Sequence, residues 1–138
     1  MEGLNFLIGT WKTQGKVRAD GATPEITFNG TDSYEWILNR KFILHKVDVM
    51  MGNEKTEAVE IIGGYNVENK TYHMRSFDNR GTVMEMEAHI DKQDVLHIVG
   101  SDMRSKLTRR DENTLIAHWE RLAENQTWVA WMDLQLSK

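Results

Sequence analysis

The chain has 138 residues, 40% of them hydrophobic and 28% charged, a folded globular composition rather than a disordered one. Its 17 basic against 21 acidic side chains give a net charge of −4, without the basic excess by which a general nucleic-acid binder pairs phosphates. It has no cysteine, which excludes disulfides, thiolate metal sites and cysteine nucleophiles, and no apolar run long enough to span a membrane.

The N-terminus lacks the basic start of a signal peptide, so a cytoplasmic location is expected. Leu4, Leu7 and Ile8 sit at helical spacing before Gly9 and predict one short helical turn. From Trp11 onward the pattern alternates with period two. In residues 11–18, Trp11, Thr13, Gly15 and Val17 oppose Lys12, Gln14, Lys16 and Arg18. In residues 26–38, Ile26, Phe28, Tyr34, Trp36 and Leu38 share a face, and Gly30 suggests a bulge or bend. If Tyr34 faces inward, so does Asp32; if Ile43, Val47 and Val49 do, so does His45. Residues 58–62 are apolar on both faces, so the side taken by Glu60 stays open.

Further on, Tyr72, Met74 and Ser76 oppose His73 and Arg75, and Met84, Met86, Ala88 and Ile90 oppose Glu85, Glu87 and His89. The basic run Arg104, Lys106, Arg109 and Arg110, countered by Asp102, Asp111 and Glu112, reads as a solvated strand that protects a sheet edge. Leu115, Ala117 and Trp119 oppose Ile116, His118 and Glu120. Trp128, Ala130, Met132, Leu134 and Leu136 form a last apolar row. Turn residues such as Asp20-Gly21, Gly52-Asn53 and Asn79-Arg80-Gly81 divide the chain into about ten strands.

The expected fold is all-β: a single antiparallel up-and-down β-barrel over residues 1–138, with a short N-terminal helical turn. A two-sheet sandwich is the alternative.

Leu7-Ile8-Gly9-Thr10-Trp11 resembles the opening of lipocalin-like (calycin) chains. The resemblance implies a lipocalin or fatty-acid-binding type of barrel. Its floor would be closed by Gly9 and Trp11, with Arg121 as the cation against the indole. Tyr34-Glu35-Trp36, residues 75–81 and Ala117-His118-Trp119-Glu120-Arg121 extend the likeness to small bacterial lipocalin-like proteins without an assigned activity.

The five tryptophans and eight methionines are either core filling or the walls of a cavity. The leading functional expectation is a binding protein for a small apolar or amphipathic molecule. Tyr34, Trp36, Met74, Met86 and Trp131 are its candidate contacts, with Tyr34 or Arg75 anchoring a polar group. One alternative is an acid/base enzyme of isomerase or decarboxylase type on Tyr34, Glu60 and Arg75. Another is an interaction module with a filled barrel; a homodimer is compatible with the pattern. No metal site is read, because His45, His73, His89, His97 and His118 show neither an HExxH motif nor i,i+2 pairing. No cofactor is assigned; for haem, His118 or His45 is the favoured ligand.

Overall fold

The computed structural model describes residues 2–138. A 3-10 helix, Glu2–Leu7, precedes ten strands. These are β1 Gly9–Val17, β2 Ile26–Ile37, β3 Phe42–Met51, β4 Glu54–Asn66, β5 Thr71–Asp78, β6 Val83–Ile90, β7 Leu96–Val99, β8 Met103–Asp111, β9 Thr114–Leu122 and β10 Trp128–Ser137. Each pairs antiparallel with its sequence neighbours, and β1 pairs with β10 to close the ring. The fold is a closed up-and-down barrel, not a sandwich. No helix among the described residues is long and apolar enough to cross a membrane.

The turns form where Asn and Asp can bond their own backbone. Asp78 Oδ1 accepts from the Arg80 and Thr82 amides, Asn66 Oδ1 from those of Glu68 and Asn69, and Asp91 Oδ1 from those of Gln93 and Val95. The turn after β2 takes three successive left-handed residues, Leu38, Asn39 and Arg40. Leu38 therefore leaves the inward row where alternation put it and is 68% exposed.

Gly30 is not a bulge. The pairing of β2 with both β1 and β3 runs through it without a shift. Its neighbours come too close for a side chain: a Cβ there would fall on the Asp48 carbonyl and Val49 Cα. Gly15 is crowded in the same way by the Asp133 carbonyl and Leu134 Cα across the β1–β10 seam. Both are inward positions where a bare backbone lets adjacent strands bend together around a narrow ring.

The register shift in β10 lies between Ala130 and Met132. It changes the phase of the last apolar row. Met132, Leu134 and Leu136 are buried, whereas Ala130 is exposed and the Trp128 ring lies 4.2 Å from the Arg104 guanidinium. The basic run guards no edge, because β8 is paired on both sides. Arg104 bonds Glu120, and the Arg109 guanidinium lies 4.7 Å from the Phe6 ring centroid.

One end of the barrel is plugged. Leu4 and Leu7 of the 3-10 helix are buried against Trp11, which is fully enclosed. The Trp11 indole N–H donates to the Leu7 carbonyl at 2.8 Å, tying the helix to the first strand. The cation over this indole is Lys138, with Nζ 4.8 Å from the ring centroid. Arg121 instead pairs with Asp20, beyond the far end of β1.

Candidate functional site

Next to the Trp11 floor, three adjacent strands put ionisable side chains into the lumen. Asp32 on β2 is opposite Trp11 on β1. His45 on β3 lies opposite Tyr34 on one side and Glu60 of β4 on the other. This register settles the facing of β4: Glu60 is inside, between the buried Ile62 and the cavity-lining Ala58. His45 Nε2 lies 2.6 Å from Asp32 Oδ1, and His45 Nδ1 lies 3.0 Å from Glu60 Oε1. The Thr13 hydroxyl donates to Asp32 Oδ2. Tyr34 stacks on the imidazole with centroids 4.0 Å apart.

Both ring nitrogens of His45 face carboxylate oxygens, which only accept hydrogen bonds when ionised. Each nitrogen must therefore donate, which makes the ring an imidazolium. Burial opposes that charge, but the hydrogen bonds to Asp32 and Glu60 outweigh burial and push the pKa of His45 up to about 9. Burial also raises the Tyr34 phenol well above its usual range, and the charges of Asp32 and Glu60 add to the effect. The hydroxyl of Thr13 is spent on Asp32 rather than on His45, and no ring nitrogen is left to accept a proton from it. The cluster thus lacks the base–nucleophile contact of a hydrolytic triad.

Above this polar wall the lumen is hollow. A cavity of about 220 Å³ is lined by Asp32, Tyr34, His45 and Glu60 on one side, with Met74, Met86, Leu107 and Met132 among its apolar walls. Ser105 on β8 also lines it. This serine is 3% exposed and its Oγ has no hydrogen-bond partner. Trp119 is the tryptophan on the cavity wall.

Of the residues singled out from the sequence, Tyr34, Glu60, Met74 and Met86 come together here. The others do not. Trp36 donates its indole N–H to Asn5 Oδ1 at 3.2 Å near the plug, under the Arg40 guanidinium. Trp131 lines a separate surface groove with Arg121 and Asp20. Arg75 is exposed, its guanidinium 5.4 Å from the Phe77 ring centroid. The set Tyr34, Glu60 and Arg75 does not converge, because Arg75 alternates with the inward Tyr72 and Met74.

His118 is on the outer wall, with Nδ1 2.8 Å from Asp133 Oδ1. Both nitrogens of His45 are taken. Neither histidine therefore presents a free nitrogen to a haem in the lumen. The Asp32–His45–Glu60 groups form a hydrogen-bonded row rather than a shell around one point. No group of three or more such side chains among the described residues has the arrangement to hold a metal ion.

Ser105 is masked in the sequence by the basic residues on either side of it. The period-two phase of Met103, Ser105 and Leu107 was the signal that could have found it.

The chain matches a family described as a protein of unknown function, DUF1579, over residues 2–138. It belongs to that family. A comparison with curated proteins finds no match. In this DUF1579 member, a surface groove crosses the outer wall at His97, Lys106 and His118. Its charged groups are largely matched among themselves: Arg18 and His118 both bond Asp133, and Arg104 bonds Glu120. That groove is a surface ion-pair network, and the lumen is the better site.

Proposed function

We propose that this chain is a single-domain, lipocalin-like binding protein that takes a small, mostly apolar molecule into its barrel lumen. The observation that carries this reading is the cavity itself: mostly apolar walls with one localised charged cluster, the usual form of a small-molecule site. Met74, Met86 and Met132 give those walls an adaptable shape. Tyr34 and Glu60 offer the ligand its polar contacts, with Glu60 in place of Arg75.

The test is native mass spectrometry on gently purified protein, paired with methyl NMR of Met74, Met86 and Met132 during titration with small aromatic amines, alcohols and acids. A bound small molecule, or shifts of these methyls, is the expected result. Ala117 also lines the cavity. Ala117→Phe should fill the space and abolish the response while the protein stays folded. Lumen methyls unmoved by every compound, with no co-purified molecule, would end this reading.

A further inference from the structure

Resting on the lumen as the binding site, we propose that its occupant is a small organic amine. Its ammonium group would meet Glu60, and a hydrogen-bonding group at its other end would meet Ser105.

The two carboxylates are unequally satisfied. Asp32 is complete: Oδ1 takes a hydrogen bond from His45 and Oδ2 takes one from Thr13. Glu60 takes one bond from His45 at Oε1, and no side chain among the described residues donates to Oε2. The geometry makes His45 a cation, so one positive charge faces two carboxylates. No lysine or arginine lines the cavity to balance the second. A buried charge left without a partner is unfavourable, and an ammonium ion on Glu60 Oε2 supplies both the missing charge and the missing donor. An anionic headgroup would add like charge to the same wall.

The second observation is independent of the acidic cluster. Ser105 is buried, lines the cavity, and its hydroxyl has no partner. Buried hydroxyls are nearly always bonded, so this one marks a place for a ligand atom. In the ring order β8 is five strands from β3 in either direction, which places Ser105 across the lumen from His45. Between them around the ring stand Met74 on β5, Met86 on β6 and Trp119 on β9. The occupant is thus polar at both ends and apolar in the middle. The cavity of about 220 Å³ limits it to a molecule smaller than most drug-sized ligands.

Three probes separate the possibilities: tyramine, phenethylamine and 3-(4-hydroxyphenyl)propanoate. Each is titrated calorimetrically into the intact protein at pH 7, with the Met74, Met86 and Met132 methyls reporting whether it enters the lumen. Tyramine should bind best. The amines should exceed the acid by about tenfold or more, and the phenol hydroxyl should add about three- to tenfold over phenethylamine. Glu60→Gln should erase the preference for amine over acid. Ser105→Ala should erase only the advantage of tyramine over phenethylamine.

If Glu60→Gln does not fold, the amine-to-acid ratio of the unaltered protein and the Ser105→Ala result still decide. Entry of the acid as readily as the amines overturns the inference while leaving lumen binding intact. Amine binding that leaves the lumen methyls unmoved overturns it too. Equal binding of tyramine and phenethylamine removes the Ser105 contact. Failure of all three probes, and of the neutral compounds, overturns lumen binding and this inference together.

Discussion

Tyr34 lies flat on His45, with the two ring planes 9° from parallel and their centroids 4.0 Å apart. The pair is cross-strand neighbours on β2 and β3. The phenol face holds the imidazolium in the one orientation that presents its two N–H groups to Asp32 and Glu60. The stack also places a π-face against a cation, a contact strengthened by burial.

In the fold, the hydrogen bonds to Asp32 and Glu60 outweigh burial and push the pKa of His45 up to about 9, from an ordinary 6.5. The fold favours its protonated form, so the stabilisation is fully present below about pH 6.5 and is lost as pH rises through about 9. The loss should reach about 3 kcal/mol at most. Tyr34, also raised, extends the decline above its ordinary range near pH 10. Urea unfolding from pH 6 to 10 should show the fall, and the His45 ring resonances should titrate near pH 9. A flat stability profile in the native protein would refute the imidazolium assignment.

Removing the central cation tests the row directly. His45→Ala leaves Asp32 and Glu60 facing each other without it. The expected cost is about 3–5 kcal/mol at neutral pH. In an Asp32→Asn, Glu60→Gln background the same substitution should cost clearly less, because the stranded charges are gone. Equal costs in the two backgrounds, measured by denaturant unfolding, would show that His45 acts through packing alone.

The plug rests on Trp11. Its replacement by alanine removes the largest wholly enclosed side chain and the bond to the Leu7 carbonyl. A loss of about 3–5 kcal/mol is expected. Trp11→Phe keeps most of the volume but not the N–H. It should cost less overall, yet still speed amide exchange across the 3-10 helix. Unchanged exchange there would mean that Leu4 and Leu7 hold the helix without the indole.

Gly30 and Gly15 face carbonyls on the neighbouring strands where a methyl group would overlap backbone. Alanine at either position forces the strands apart and should destabilise by about 1–3 kcal/mol or more. Thermal unfolding of the single and double variants measures it. A neutral Gly30→Ala would show that β2 and β3 separate more easily than their geometry implies.

Much of the barrel was readable because its turns use Asn, Asp and Gly for specific local bonds, as at Asp78 and Asn66. Alternation also gave the correct facing of Met74, Met86 and Ala117. It failed where the phase changes within a segment. Leu38 was lost to a left-handed turn, and Trp128 and Ala130 to the shift before Met132. The site was half legible. Phase alone made Asp32 and His45 inward candidates, but their meeting with Glu60 depends on the register of three strands, which no local pattern encodes. Arg75 is the opposite case: period two puts it outside with His73, and its charge suits the solvent it meets there rather than the lumen. The cation over Trp11 was misplaced for a related reason. Contacts between chain ends are set by closure, and closure brings Lys138 rather than Arg121 to the indole.

That closure has a kinetic side. The β1–β10 seam joins Lys12 to Ser137 and Val17 to Met132, partners separated by almost the whole chain. Every other ladder forms between consecutive strands and can zip locally. The seam must wait for β10, and bringing its halves together carries the largest loop entropy in the molecule. Until then β1 and the growing meander each present a raw strand edge, the surface through which sheets join other chains. A chain halted on the ribosome before β10 keeps those edges open and should aggregate more readily than the closed barrel. Pairing of β10 with β1 is what closes the ring.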